Sequence, residues 1–238
     1  MSVLRKLLLT IMVLGATTST VSAGTFASFN ASTSNTATFA TGNLALSNQK
    51  GVATACLSTG GGGGIDTNVN ACDSLFGLTV QKPGDSAFVD LTLSNSGTLP
   101  GTLRVSATGD CTNGAAPGQT YSGGGLPCNQ LQMYIQEYTT LANRTAGTTT
   151  GGQCVYGNTS GSACTGFNAN YTLDSFDSLG SPISIGTLPA LTSGTCAASP
   201  LPTGTCRYFR VYISLPATSD NTFQGTQATF GFDWALAQ

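Results

Sequence analysis

The chain has 238 residues, of which 40% are hydrophobic and only 8% are charged, and its formal net charge is −2. This balance excludes a nucleic-acid-binding protein that relies on a basic surface. The chain contains no histidine, which excludes the usual forms of a Ser-His-Asp hydrolase, a Cys-His protease and a His-ligated zinc enzyme.

The first 27 residues are typical of a signal peptide. Arg5 and Lys6 form a basic start, the apolar run LLLTIMVLG follows, and small residues continue to Ala27. This run is too short to span a bilayer. Ala23 and Ala27 both precede candidate cleavage sites, and composition does not choose between them. The segment predicts an exported protein.

The segment after the signal is uncharged and strand-like. Residues 24–47 contain two short alternating runs around Thr41-Gly42-Asn43, and a further strand is expected over Phe76–Val80. The tetrapeptide Lys82–Asp85 (KPGD) predicts a type II turn, because Pro83 presets φ and Gly84 tolerates the positive φ of the third position.

A hairpin is expected next. Its first strand interleaves apolar and polar residues, and the turn Ser94–Gly97 leads to a returning strand, Leu99–Ala107. The apolar members are Phe88, Leu91 and Leu93, and the polar members are Asp90, Thr92 and Ser94.

Three later runs alternate in the same way, and only a single helical turn, near Asp174–Leu179, interrupts the strand pattern. The three apolar faces are Leu131, Met133 and Ile135; Phe209, Val211, Ile213 and Leu215; and Phe230, Phe232, Trp234 and Leu236. Short strands separated by turns predict an all-β antiparallel sandwich. The chain shows no internal repeat.

Eight cysteines accompany the export signal, which indicates disulfides rather than metal ligands. No pair has the spacing of a zinc knuckle. They fall into four local couples, each enclosing a Gly-, Ser- or Thr-rich stretch. We therefore predict four nearest-neighbour bridges that pin long loops: Cys56–Cys72, Cys111–Cys128, Cys154–Cys164 and Cys196–Cys206.

The carboxylates do not form an evident catalytic pair. Glycosidase chemistry needs only Asp and Glu, but Glu137, Asp90 and Asp233 are scattered, and solvated strand or turn residues are the favoured interpretation. Asp174 and Asp177 are a weak calcium signal beside a turn or helix start. We predict no catalytic residue, cofactor or metal site, and hence no enzyme.

Two further sets of residues suggest contact with sugars. Sequons begin at Asn30, Asn143, Asn158 and Asn170, and they matter only if the host glycosylates. Four tyrosines on polar strand faces either form a sugar-binding platform or, as we favour, pack against loops or a partner subunit: Tyr134, Tyr138, Tyr208 and Tyr212.

Three blocks of the chain resemble the TasA/camelysin family. The first 49 residues resemble its SipW-type signal peptide and mature start, residues 80–107 resemble its Lys-Pro-Gly-Asp turn and hairpin, and residues 221–238 resemble its ending with alternating aromatics. The cysteine-rich middle has no counterpart in the family pattern. Related members form biofilm-matrix fibres or archaeal bundling pili, whereas camelysin is described as a metalloprotease, an activity that the absence of histidine disfavours.

The resemblance implies cleavage by a signal peptidase between Ala27 and Ser28, followed by a jelly-roll-like sandwich over residues 39–238. It also implies that residues 28–38 are a donor strand for a neighbouring subunit, giving a secreted homopolymer at the cell surface or in the extracellular matrix. Neither nucleic acid nor, after cleavage, a membrane is then expected as a partner. The donor residues are Ser28, Phe29, Asn30, Ala31, Ser32, Thr33, Ser34 and Asn35.

The donor segment suits strand addition, since it is uncharged and has Phe29 as its one large side chain. Two other interpretations of the segment stay open at this point: a strand of its own domain, or a disordered terminus. The alternative function is a secreted monomeric adhesin or glycan-binding module of the same fold.

Overall fold

A computed structural model describes residues 43–58, 74–76, 82–120, 125–190, 196, 205–223 and 225–238. The predicted signal peptide with its cleavage site at Ala27 and Ser28, the donor strand, Asn30, Cys72 and residues 77–80 lie outside the described residues.

The described chain is built mainly from short strands, with three short α-helices and one 3₁₀ turn, Asn221–Phe223. None of the described helices is long and apolar enough to cross a membrane. The strands are β1 Leu46–Lys50, β2 Cys56–Leu57, β3 Ser86–Asn95, β4 Gly101–Ala107, β5 Thr112–Ala115, β6 Gln132–Tyr138, β7 Gln153–Tyr156, β8 Thr159–Ser160, β9 Ala163–Cys164, β10 Ile183–Leu188, β11 Cys206–Ser214, β12 Thr226–Thr229 and β13 Phe232–Ala237, and the helices are α1 Pro127–Gln130, α2 Leu141–Ala146 and α3 Leu173–Asp177.

The strands form an all-β, antiparallel, sandwich-like fold, as the sequence predicts. One sheet has six strands in the order β2-β1-β3-β11-β6-β7, and the other has three in the order β10-β4-β13. Two ribbons, β12–β5 and β8–β9, complete the described sheets. Every pairing between these strands is antiparallel.

The core lies between the inner faces of the two sheets. Leu91 and Phe209 of the six-stranded sheet and Leu103 and Val105 of the three-stranded sheet are fully buried in one cluster. Core-facing and outward-facing residues alternate along each strand because successive side chains of a strand point to opposite faces. The predicted apolar faces of β6 and β11 are confirmed, since Met133, Ile135, Phe209, Val211 and Ile213 are all buried.

The side chain of Arg207 joins the two sheets at one side of the sandwich. Arg207 of β11 donates from Nη2 to Glu137 Oε2 at 2.8 Å and from Nε to Oε1. The same guanidinium also donates to the backbone oxygens of Ile185 and Thr187 in β10, at 3.3 and 3.2 Å. One arginine therefore connects β11 and β6 to the opposite sheet.

The turn at Lys82–Asp85 is confirmed. The backbone N–H of Asp85 donates to the carbonyl of Lys82 at 2.9 Å, and Gly84 has a φ of 92°. A positive φ at this position strains residues other than glycine, which explains why glycine follows proline here.

The predicted hairpin is wrong. Strand β4 does not pair with β3, because β1 and β11 occupy both edges of β3, and the chain instead crosses to the other sheet after Asn95. The Asn95 side chain is fully buried and holds this corner. Its Oδ1 accepts from the N–H of Gly97 at 2.9 Å, and its Nδ2 donates to the carbonyls of Leu99 and Leu188 at 2.6 and 3.3 Å.

Two details of the predicted faces also need correction. Phe88 lies on the outer face of β3 beside Asp90 and is 55% exposed, whereas the inner face carries Val89, Leu91 and Leu93. The C-terminal run is not one strand, because the chain turns at Phe230-Gly231 between β12 and β13. A Cβ on Gly231 would lie 2.9 Å from the carbonyl oxygen of Thr108, so only glycine fits this crossing without displacement.

Disulfides pin the loops as predicted for three of the four couples. Bonds join Cys111 to Cys128, Cys154 to Cys164 and Cys196 to Cys206. Cys56 is also disulfide-bonded, while Cys72, its predicted partner, lies outside the described residues.

Candidate functional site

An apolar groove of about 810 Å³ lies beside strand β13. Residues of both sheets line it: Leu46 and Ile213 from the six-stranded sheet, and Phe232 and Trp234 from β13. The ribbon strand β12 and the start of helix α1, at Pro127, form another wall. The groove thus adjoins the packed core on the side where the described sandwich is not closed.

The groove borders the edge of β13 that no other described strand pairs with. This strand pairs with β4 on one side, and among the described strands none pairs with its other side. Phe232, Asp233 and Trp234 line the groove consecutively. Since consecutive strand residues point to opposite faces, a continuous lining indicates that the strand presents its edge to this space. An open edge offers unpaired backbone N–H and C=O groups to a further strand.

Aromatic rings form the floor of the groove and rest on the core. The Phe230 and Phe232 rings are 4.9 Å apart, and Phe232 lies 5.7 Å from the buried Phe176. Trp234 packs 5.0 Å from the buried Phe209. These centroid separations fall in the range favoured for aromatic pairs. The floor is therefore held in place by packing and presents a preformed apolar surface.

Trp234 is 8% exposed, and its indole Nε1 is buried without a hydrogen-bond partner among the described residues. A buried donor without a partner costs about 1–3 kcal/mol. The floor of the groove is thus a place where the described sandwich leaves a polar group unsatisfied.

The electrostatics of the groove favour an uncharged occupant. Of the described residues that line it, Asp233 is the one with a charged side chain, and it is exposed. Desolvating a charge against such walls is costly unless the charge is paired. An extended, uncharged peptide suits the groove better than a charged ligand.

The four predicted tyrosines come together on the outer face of the six-stranded sheet, but they do not form an open platform. Tyr138 and Tyr208 are buried, and their hydroxyls contact the Tyr212 hydroxyl at 3.2 Å and the Cys196 carbonyl at 3.1 Å. Tyr134 stacks on Tyr212 with ring centroids 4.2 Å apart. Burial raises the pKa of Tyr134 and of Tyr138 above the ordinary tyrosine range. The tyrosines therefore pack against neighbouring strands and loops of their own chain, in line with the packing alternative favoured from the sequence.

Two arginines share one carboxylate on the same outer face. Arg210 donates to Asp90 through both Nε and Nη2, while Arg144 Nε lies 3.7 Å from Asp90 Oδ2. Arg144 also donates to the Leu91 carbonyl at 2.6 Å. Its desolvation by burial lowers the pKa of Arg144. The guanidinium of Arg210 lies 4.1 Å from the Phe88 ring, so this phenyl group covers the ion cluster.

Two of the other predicted carboxylates, Glu137 and Asp177, have structural partners as well. Glu137 is held by Arg207. Asp177 Oδ2 accepts the backbone N–H of Cys111 at 3.0 Å, and Asp174 lies in the first turn of α3, which begins with a capping box of Thr172 and Ser175. The described residues contain no cluster of three or more potential metal ligands.

The three described sequons lie in different settings. Asn158 and Asn170 are exposed, and Asn143 is half-buried. The amide of Asn143 donates to the Thr139 hydroxyl at 2.7 Å, and that of Asn158 donates to the Thr165 hydroxyl at 2.8 Å. These contacts place both side chains against their own loops.

Sequence patterns identified only part of the groove. The alternation of Phe230, Phe232 and Trp234 predicted a shared apolar face, but not that this face floors a cavity. The contributions of β12 and of Pro127 carry no periodic signal and depend on how the ribbon folds over the sandwich. No protein-family model matches this chain, and no curated protein matches it.

Proposed function

We propose that this chain is a secreted structural subunit that assembles head to tail into extracellular filaments. In this assembly the segment Ser28–Thr38 of one subunit occupies the groove beside β13 of the next. The observation that carries the proposal is the apolar groove along the edge of β13 that no other described strand pairs with. The uncharged, alternating sequence of the segment and the resemblance to the TasA/camelysin family support it.

The dimensions of strand and segment agree. Strand β13 has six residues, which span about 20 Å at the usual rise of a strand. Residues 28–38 are long enough to pair along this whole edge. Phe29 then supplies one large apolar side chain for the cavity, and the small residues after it allow the segment to lie flat. Backbone pairing supplies affinity, and the pocket for Phe29 supplies specificity.

Such a contact gives an open polymer. The donor segment and the acceptor groove are different surfaces of one chain, so each bound subunit still presents a free copy of one of them. Heterologous contacts of this kind produce filaments unless the rotation closes a ring. Disulfides that pin the loops and an export signal suit a subunit that works outside the cell.

Negative-stain electron microscopy of two purified chains tests the proposal. One chain is Ser28–Gln238, and the other begins at Phe39; every described core residue lies at Ala45 or beyond, so this truncation removes no described core contact. We expect filaments from the first chain and monomers from the second. Monomers from both chains at high concentration, with all disulfides formed, would overturn the proposal.

A further inference from the structure

One wall of the groove is formed by the ribbon of β5 and β12. Thr226–Thr229 of this ribbon, together with Ala116 and Pro117 just after β5, line the groove. Among the described strands the ribbon pairs with neither main sheet. A two-stranded ribbon is at best marginally stable by itself. Its position must therefore come from its attachments.

The Cys111–Cys128 disulfide is the covalent attachment between the ribbon and helix α1. Cys111 immediately precedes β5, and Cys128 is 1% exposed within α1, next to the groove-lining Pro127. A hydrogen bond from the Cys128 N–H to Asn113 Oδ1, at 2.8 Å, runs alongside the bridge. The bridge thus ties together two adjacent parts of the same groove wall.

We propose that formation of the Cys111–Cys128 bridge sets the groove in its strand-accepting form, so that assembly depends on an oxidising environment. This inference rests on the proposed function. In the step, two thiols form one S–S bond, and their two protons and two electrons pass to a disulfide oxidant, which becomes two thiols. Before the bridge forms, the ribbon is held by its chain connections, by the Asn113 hydrogen bond and by the packing of Ala228 against the core, and the groove wall is less firmly fixed. Subunits inside a reducing cytoplasm accordingly remain unassembled.

The chain offers a matched control. The Cys154–Cys164 bridge lies at β7, the edge of the six-stranded sheet away from β1. Neither of these cysteines has a groove-lining residue beside it in the sequence, whereas Cys128 adjoins the lining residue Pro127. The test compares Ser28–Gln238 with two variants, Cys111→Ala/Cys128→Ala and Cys154→Ala/Cys164→Ala. Light scattering measures the critical concentration for assembly, and thermal unfolding followed by circular dichroism measures folding.

We expect the Cys111→Ala/Cys128→Ala chain to fold cooperatively but to need about a hundredfold higher concentration to assemble, equivalent to about 2.7 kcal/mol. The Cys154→Ala/Cys164→Ala chain should assemble at a concentration close to that of the unsubstituted chain. A second measurement distinguishes a defect in the groove from a defect in the donor segment. The Cys111→Ala/Cys128→Ala chain keeps its donor segment, so it can still bind to the end of a filament, but its groove accepts the next subunit poorly. A small proportion of this chain should therefore shorten filaments of the unsubstituted chain.

The other results of this test decide whether the proposed function or the inference fails. If the unsubstituted chain forms no filaments, the proposed function fails. If it does, and the Cys111→Ala/Cys128→Ala chain assembles equally well, the inference is wrong while the proposed function stands. Equal impairment in both variants, or a Cys111→Ala/Cys128→Ala chain that does not fold, would also overturn the inference, because the bridge would then support the whole fold rather than the groove wall.

Discussion

Arg210 and Asp90 form a two-pronged ion pair across neighbouring strands β11 and β3. Nε of the arginine lies 2.6 Å from Oδ1 and Nη2 lies 3.1 Å from Oδ2, and the two residues are cross-strand partners in the β-sheet register. This geometry uses the planar fork of arginine, which lysine lacks. The hydrogen bonds that Arg210 donates to Asp90 raise the pKa of Arg210 above its ordinary range.

Removing this carboxylate should destabilise the fold strongly. Asp90→Asn leaves Arg144 and Arg210, whose side chains are mostly buried, without a counter-charge, and we expect a loss of about 3 kcal/mol in the free energy of unfolding. Urea denaturation measures it. Asp110→Asn, at an exposed position, should change stability by no more than about 0.5 kcal/mol. Equal effects of the two substitutions would contradict this account of the cluster.

The corner at Asn95 should be equally sensitive. Asn95→Ala leaves the buried N–H of Gly97 and the carbonyl of Leu188 without this partner, and we expect a loss of about 2–3 kcal/mol. Asn95→Asp restores the acceptor but not the donor, so it should not recover stability. Asn129→Ala, an exposed position, serves as the control in the same urea titration. A near-neutral Asn95→Ala would show that the corner is held by other contacts.

Alkaline pH should weaken the fold through Tyr138. Burial, and then the hydrogen bond with Tyr212, raises the pKa of Tyr138 in the folded state, whereas an unfolded tyrosine titrates near about pH 10. Below that pH both states are neutral and the contribution to stability is complete. Above it the unfolded state ionises first, so stability falls as pH rises.

Tyr138→Phe removes this titration. We expect the variant to be less stable by about 1 kcal/mol at neutral pH, because it loses the hydroxyl contact, and to lose stability less steeply above about pH 10. Thermal unfolding across this pH range, with tyrosinate absorbance as a second signal, gives both quantities. Parallel pH profiles for the two proteins would count against a role for Tyr138.

Phe29 should control the affinity of assembly. Fully burying a phenyl group contributes about 1.5–3 kcal/mol, so Phe29→Ala should raise the critical concentration of Ser28–Gln238 by about 10- to 100-fold. Ser34→Ala in the same segment removes no large side chain and should assemble like the unsubstituted chain. Light scattering over a concentration series compares the three chains. An unchanged critical concentration for Phe29→Ala would indicate that this residue does not enter the groove.

A charge placed in the groove should block assembly without unfolding the subunit. Ala228 of β12 lines the groove and is half-buried, so Ala228→Asp would oppose an apolar occupant. Ser184→Asp is the matched control, because the exposed Ser184 of β10 lies opposite Arg104 in the β-sheet register, where an acid is favourable, on the side of β4 away from β13. Electron microscopy should show filaments for the control alone. Filaments from Ala228→Asp would place the occupied surface elsewhere.

Local patterns predicted much of this fold. The turn at Lys82–Asp85 depends on two adjacent residues, and the inner faces of β6 and β11 follow from strict alternation. The position of β4 was not predictable in this way, because its partners β10 and β13 lie far along the chain from it. Phe88 was misplaced for a related reason: apolar character alone does not show that a phenyl ring will cover an arginine.

The groove shows the same limit more strongly. Trp234 and Phe232 were predictable as members of one apolar face. The cavity, however, forms where β13, β12 and α1 come together, and the sequence pattern of one segment does not predict how three segments pack. The disulfides were more accessible, since each described bridge joins nearest cysteines across a loop.

The link that Arg207 makes between the two sheets has a mechanical consequence. It fastens β10 to β11 and β6, whereas the groove lies at β13, on the other side of β4. The two sheets are therefore linked on the β10 side, and we expect them to separate most readily along the edge beside β13. A donor strand bound along that edge would link the two sheets there as well. We therefore expect a subunit to resist mechanical unfolding best once the donor strand of its neighbour occupies the groove.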